Sequence, residues 1–144
     1  MSKMRNLVLA GALGVAATMS FSNVGNAQDE VDAMVAAADP AAGQATALQC
    51  IGCHTFGEGE GTRVGPGLFD IVDRLIGEVE DFPYSDAMTA AGEAGDVWTL
   101  AMLDAFFANP QEALPGNTMP FGGMGSDTDR HNLLAYLLTL AAAE

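Results

Sequence analysis

Cys50-Ile51-Gly52-Cys53-His54 decides how the rest of this chain is read. Two cysteines three apart, followed at once by a histidine, form the attachment pattern for c-type haem. Positions i, i+3 and i+4 of a helical turn share one face, so Cys50, Cys53 and His54 point the same way. Two thiols can then bond one porphyrin while the imidazole reaches its iron. A thiol–disulfide redox pair is the competing reading. It calls for a neighbouring strand–helix unit; no strand-like alternation surrounds the motif, and His54 would have no task.

Upstream of the motif, Asp39-Pro40 reads as a helix start, a capping carboxylate followed by proline in the first turn. The helix is expected from Pro40 to about Cys53. Gly43 inside it costs about 1 kcal/mol against alanine, which fits a place where another backbone comes close; the C-terminal helix is the expected neighbour. Downstream, Gly57-Glu58-Gly59-Glu60-Gly61 is a flexible turn. It lacks the lysine and hydroxyl of a phosphate loop, and its glutamates would repel phosphate. Gly65-Pro66-Gly67 is a tight turn close after His54. The Pro66 carbonyl is a candidate acceptor for the free ring N–H that a ligating histidine keeps.

Further on, one or two helical turns are expected over Leu68–Arg74, and a short helix over Asp86–Ala91, broken at Gly92–Gly95. A helix capped by Asp96 should run to Asn109-Pro110, and a last helix, opened by Ser126 and Asp129 in the manner of a capping box, from Asp127 to about Ala141. Leu133, Leu134, Tyr136, Leu137, Leu138 and Leu140 make that last helix apolar around much of its circumference, so it must be mostly buried. Trp98 and Phe106 read as core, which in so small a haem protein is also haem wall. Arg74 is either a surface residue or a partner for a haem propionate, whose carboxylate suits a planar guanidinium.

Residues 1–27 read as a cleaved signal peptide: Lys3 and Arg5, an apolar run from Leu7 to Ala17, and small residues at Gly25-Asn26-Ala27. The run is short of the roughly 20 residues a bilayer span needs, so no stable membrane insertion is expected after cleavage. Residues 28–38 form a tail or short helix, and residues 39–144 one domain. Cleavage removes Lys3 and Arg5, which leaves Arg63, Arg74 and Arg130 as the basic residues and makes the formal charge of −14 more negative by two. Such a field excludes nucleic acid and anionic membrane surface as attractive partners. It favours a redox protein with a basic docking face, and it equally suits a salty habitat.

The second axial ligand decides function, because an open iron position binds small molecules while a filled one favours electron transfer. The candidates after residue 27 are Met34, Met88, Met102, Met119, Met124 and His131. Methionines on helices are usually gap-filling core, and His131 at the polar start of a helix is expected exposed. Met119 lies in a loop stiffened by Pro115 and Pro120. Met124 is the second choice, since its neighbouring glycines should hold it poorly.

Five segments in order resemble the class I c-type cytochromes, the branch of small electron carriers found in bacteria and mitochondria. These are Cys50–Phe56 with Val64–Leu68; Tyr84–Met88; Trp98 to Asn109-Pro110; Pro115–Phe121; and Arg130–Leu138. The resemblance spans nearly all of residues 39–141. It implies an all-α fold wrapped around one covalently bound haem c, with the N- and C-terminal helices packed crosswise. It places the Pro66 carbonyl on His54, Arg74, Tyr84 and Trp98 near the propionates, and Asn117 near the sulfur of Met119. Phe106 stands where the family often has tyrosine, Met88 replaces a polar residue common in eukaryotic members, and the usual ring of docking lysines is absent. The expectation is a periplasmic, monomeric carrier of one electron with iron held by His54 and Met119, and no enzyme. The alternatives are a haem subunit of a larger redox complex, or a haem enzyme or gas sensor with a dissociable sixth ligand.

Overall fold

Six helices account for the regular structure in the computed structural model, which describes residues 23–141: α1 (Asn23–Ala36), α2 (Pro40–Ala47), α3 (Asp86–Glu93), α4 (Leu100–Ala108), α5 (Pro110–Ala113) and α6 (Asp127–Leu138). The described residues are therefore all-α, as expected. Of the leader read over residues 1–27, residues 1–22 lie outside them and residues 23–27 fall in the first part of α1.

α2 and α6 make the tightest crossing. Asp39 caps α2 by accepting the Ala41 N–H at 2.8 Å, and its own N–H donates to the Asn132 side chain of α6 at 2.9 Å. A Cβ added at Gly43 would run into the Asn132 carbonyl and lie 2.9 Å from the Tyr136 Cβ. The glycine is thus required by backbone approach, which compensates its low helix propensity. Leu133, Leu134 and Leu137 on the inner side of α6 are almost fully buried. α1 packs on α4 and α6 and buries Val35.

Several element boundaries differ from the sequence expectation. α2 ends at Ala47, because the hydrogen bonds that follow tighten to three-residue spacing (Leu48 N–H to Ala45 O at 3.3 Å, Cys50 N–H to Ala47 O at 2.9 Å). α3 runs on to Glu93 and ends before Gly95, which sits at φ 87°. Leu68–Arg74 is not helical; Asp70 and Asp73 have φ of 55° and 62°, which breaks any right-handed turn. Asp96 does not cap α4. Thr99 does, accepting the Met102 N–H at 3.1 Å.

Residues 96–98 instead pair with 73–76 in a β-like bridge: Ile76 N–H to Asp96 O at 2.9 Å, Trp98 N–H to Arg74 O at 2.9 Å, and Asp73 N–H to Trp98 O at 3.0 Å. Asn109 ends α4 and caps the additional α5 by accepting the Glu112 N–H. α6 stops at Leu138, short of Ala141.

Candidate haem site

The motif lies one turn beyond the end of α2. The His54 and Cys53 N–H groups both donate to the Cys50 carbonyl, at 2.9 and 3.0 Å, so a single closed turn keeps both thiols and the imidazole together where the regular helix has stopped. Cys50, Cys53 and His54 all line a cavity of about 230 Å³. Burial, and secondarily the neighbouring Cys53, push the Cys50 thiol above its ordinary range. The His54 Nδ1 lies 2.7 Å from the Pro66 carbonyl. As the donor there, Nδ1 carries the ring proton and leaves the Nε2 lone pair free for a metal.

Gly65 lies flat against the imidazole: a Cβ on it would stand 2.8 Å from Nδ1 and 2.9 Å from Nε2. The turn is clasped to the motif by Gly65 N–H to Cys53 O at 2.8 Å, Leu68 N–H to Thr55 O at 2.8 Å, and the Arg63 guanidinium to Ile51 O at 2.7 Å.

Three of the six candidate second ligands line the same cavity: Met88, Met119 and Met124. Met34, Met102 and His131 do not reach its wall. His131 is not exposed as expected. Its side chain is 12% exposed and its Nε2 sits 3.6 Å from Asp104 Oδ1. The Met119 N–H donates to the Asn117 side-chain oxygen at 3.1 Å. The Asn117 amide itself donates to the carbonyls of Pro110 and Leu114, at 2.7 and 2.9 Å. Asn117 is buried behind the cavity wall, with its polar atoms engaged by the loop backbone. It staples the loop that carries Met119. Met124 is held better than its glycines led one to expect: its N–H donates to Phe107 O at 2.7 Å, and its carbonyl accepts from Arg130 at 2.8 Å.

Arg74, Tyr84 and Trp98 all line the cavity. The 73–76 to 96–98 bridge sets Arg74 and Trp98 side by side. The Arg74 guanidinium donates to the carbonyls of Phe69 and Gly67, at 2.9 and 2.8 Å. Burial pushes the Tyr84 phenol up, while the Val79 backbone and the Arg74 charge pull it the other way. Trp98 packs edge-on against Phe106, ring centres 5.0 Å apart. Leu68, Ile71, Leu103, Phe107 and Leu133 complete an apolar wall.

Two thiols, an imidazole with a fixed tautomer, sulfur donors, an apolar wall and an arginine fit one large flat apolar group with a metal at its centre and acidic arms. No family model matches the chain. Named relatives do. The chain is 40% identical over 103 residues to cytochrome c-550 of Ancylobacter novellus, an alignment that covers 72% of the chain and 96% of that protein. It is 40% identical over 106 residues to cytochrome c2 of Agrobacterium tumefaciens, covering 74% and 96%.

The chain belongs to the class I c-type cytochromes.

The cytochrome's fold matches two solved structures. Cytochrome cH from Methylobacterium extorquens aligns with TM-score 0.63 and 33% identity, over 70% of this chain and 98% of that one. Cytochrome c2 from Rhodospirillum centenum aligns with TM-score 0.66 and 30% identity, over 72% and 99%. As a member of this family the cytochrome is an electron carrier, not an enzyme, and carries one covalently bound haem c, for which Cys50 and Cys53 fit the attachment motif.

Sequence reasoning did not single out Arg130 of the cytochrome for the site. It is 7% exposed and joins α6, α4 and the methionine loop. Its sequence signal was faint: a lone cation at the start of an otherwise acidic helix turn.

Proposed function

We propose that this cytochrome is a periplasmic, monomeric one-electron carrier with its iron held between His54 and Met119. The observation that carries the reading is that both residues line one cavity and both are held by hydrogen bonds, His54 at its ring through Pro66 and Met119 at its backbone N–H through Asn117. A ligand set held this firmly favours outer-sphere electron transfer over binding of small molecules. When bound, haem supplies a reversible one-electron change at iron, at a potential that histidine–methionine ligation raises. The chain's own residues anchor, orient and shield it. Cys50 and Cys53 form the thioethers, the Pro66 carbonyl keeps the proton on His54 Nδ1, and Leu68, Ile71 and Phe107 exclude water. Arg74, Tyr84 and Trp98 offer donors to acidic arms.

Gln49, Cys53, Val64, Thr118 and Pro120 both line the cavity and stand exposed, so the mouth carries no formal charge. Leu48 and Ile51 add exposed apolar surface next to Cys50. Around this neutral mouth lies a surface drawn from 19 acidic residues, which favours a redox partner with an apolar centre and a basic rim. Their encounter rate should fall as salt rises. No helix among the described residues is long and apolar enough to cross a membrane, and the leader-like residues 1–27 support export.

The test is an optical redox titration of the exported protein beside Met119→Ala and Met124→Ala. The sulfur-to-iron charge-transfer band of the oxidised protein should vanish in Met119→Ala, with a lowered potential, and persist in Met124→Ala. The reverse pattern would move the ligand to Met124.

A further inference from the structure

We propose that Arg130 and Asp104 are positioning residues for the second iron ligand: their ion pair clamps the backbone at Met124 and thereby keeps the loop bearing Met119 in place. The proposal rests on the Met119 reading above. The Arg130 guanidinium uses its whole fork. Nε donates to Asp104 Oδ1 at 2.8 Å, Nη2 to Asp127 Oδ1 at 2.7 Å and more weakly to Asp104 Oδ2 at 3.5 Å, and Nη1 to the Met124 carbonyl at 2.8 Å. Asp104, on α4, is 17% exposed and is also faced by His131 Nε2 at 3.6 Å. The hydrogen bond to Asp104 is the main cause that holds the guanidinium still more firmly protonated than usual. The Met124 N–H goes to Phe107 O, also on α4, at 2.7 Å. Both polar backbone atoms of Met124 are therefore held by other elements, one by α4 and one by α6.

The loop needs such an outside hold. Pro120 and the Asn117 staple stiffen it on the Met119 side, but Gly122-Gly123 follows, with Gly123 at φ 94°. Two adjacent glycines resist bending poorly. A buried ion pair is itself weak evidence for stability, since well-packed apolar residues often serve as well. Its value lies in what the fork holds besides the carboxylate, and here that is the Met124 carbonyl. Lysine has the same charge but no planar fork, so it cannot reach Asp104 and Met124 with the same geometry.

The experiment uses the oxidised holoprotein and follows two signals through a guanidinium titration: the sulfur-to-iron charge-transfer band and the far-ultraviolet helix signal. Arg130→Lys and Asp104→Asn are compared with Ile76→Val, a core substitution at a residue 1% exposed and away from the cavity wall. In both clamp variants the band should disappear before the helix signal. The equilibrium for losing the band in the folded protein should rise on the order of tenfold, as expected when a hydrogen bond to a charged group is lost. In Ile76→Val the two signals should move together. If they also move together in Arg130→Lys and Asp104→Asn, the clamp is only a stability element and the proposal is overturned. If the parent shows no such band, or if Met119→Ala keeps it, the ligand reading itself fails and takes the clamp with it.

Discussion

The two sides of the haem cavity are both loops, and they are held in different ways. The motif side closes on itself. His54 is held by Pro66, Gly65 by Cys53, Leu68 by Thr55 and Ile51 by Arg63, all within the single stretch from Cys50 to Leu68. Closing such short loops costs little chain entropy, so this side can form from its own residues. The methionine side begins the same way, with Asn117 tied to Pro110 and Leu114. Its far end is different. Met124 depends on Phe107 of α4 and Arg130 of α6, and Arg130 depends in turn on Asp104 of α4. The His54 turn is placed by its neighbours in the chain, the far end of the methionine loop at Met124 by helices that must already be packed.

The largest expected effect removes the motif side altogether. In Cys50→Ala with Cys53→Ala, no haem should remain with the polypeptide after denaturation, where the parent keeps all of it; retention by the double variant would sink the attachment reading. Next come matched changes on the two sides. Gly65→Ala places a methyl against the imidazole and should cost about 1–3 kcal/mol as overpacking. It should disturb the iron spectrum through His54 while the Met119 loop keeps its own hydrogen bonds. Asn117→Ala leaves the Met119 N–H without its partner and takes one of two hydrogen bonds from each of the Pro110 and Leu114 carbonyls, whose backbone donors remain; the cost should be about 1–3 kcal/mol. It should weaken the charge-transfer band and leave covalent haem intact. Identical spectral changes in the two variants would erase the distinction between the sides. The smallest effect is at Ser126, whose hydroxyl accepts the Asp129 N–H at 3.2 Å. Ser126→Ala should lower stability by about 1 kcal/mol through the lost cap, read from the unfolding midpoint, with the band present in the folded protein.

What was legible in the sequence follows the same division. Asp39-Pro40 and Ser126 start helices where their chemistry says they should, because a cap acts within three residues. Gly43 announced a close approach because glycine inside a helix needs a reason, and Asn132 supplies it. The Pro66 carbonyl could be anticipated on His54 because it lies in a tight turn just downstream. The missed features are non-local. Asp96 looked like a cap, but its segment pairs with residues 73–76, and that pairing outweighs a local preference. Met124 looked loose between glycines, yet its hold comes from Phe107 and Arg130. His131 looked exposed on a polar turn, yet it packs beside Asp104.

The sequence by itself determined that this chain is an all-α haem protein with Cys50, Cys53 and His54 on one face. Bringing the two thiols and the imidazole together needs only one turn of backbone. The tertiary structure decided which methionines line one cavity with that histidine, which arginine joins the cavity wall and which is buried against Asp104. Those outcomes depend on how α4 and α6 pack over the loop between them, and packing brings together residues far apart in the chain, such as Asp104 and Arg130, whose separate sequence surroundings carry no sign of each other.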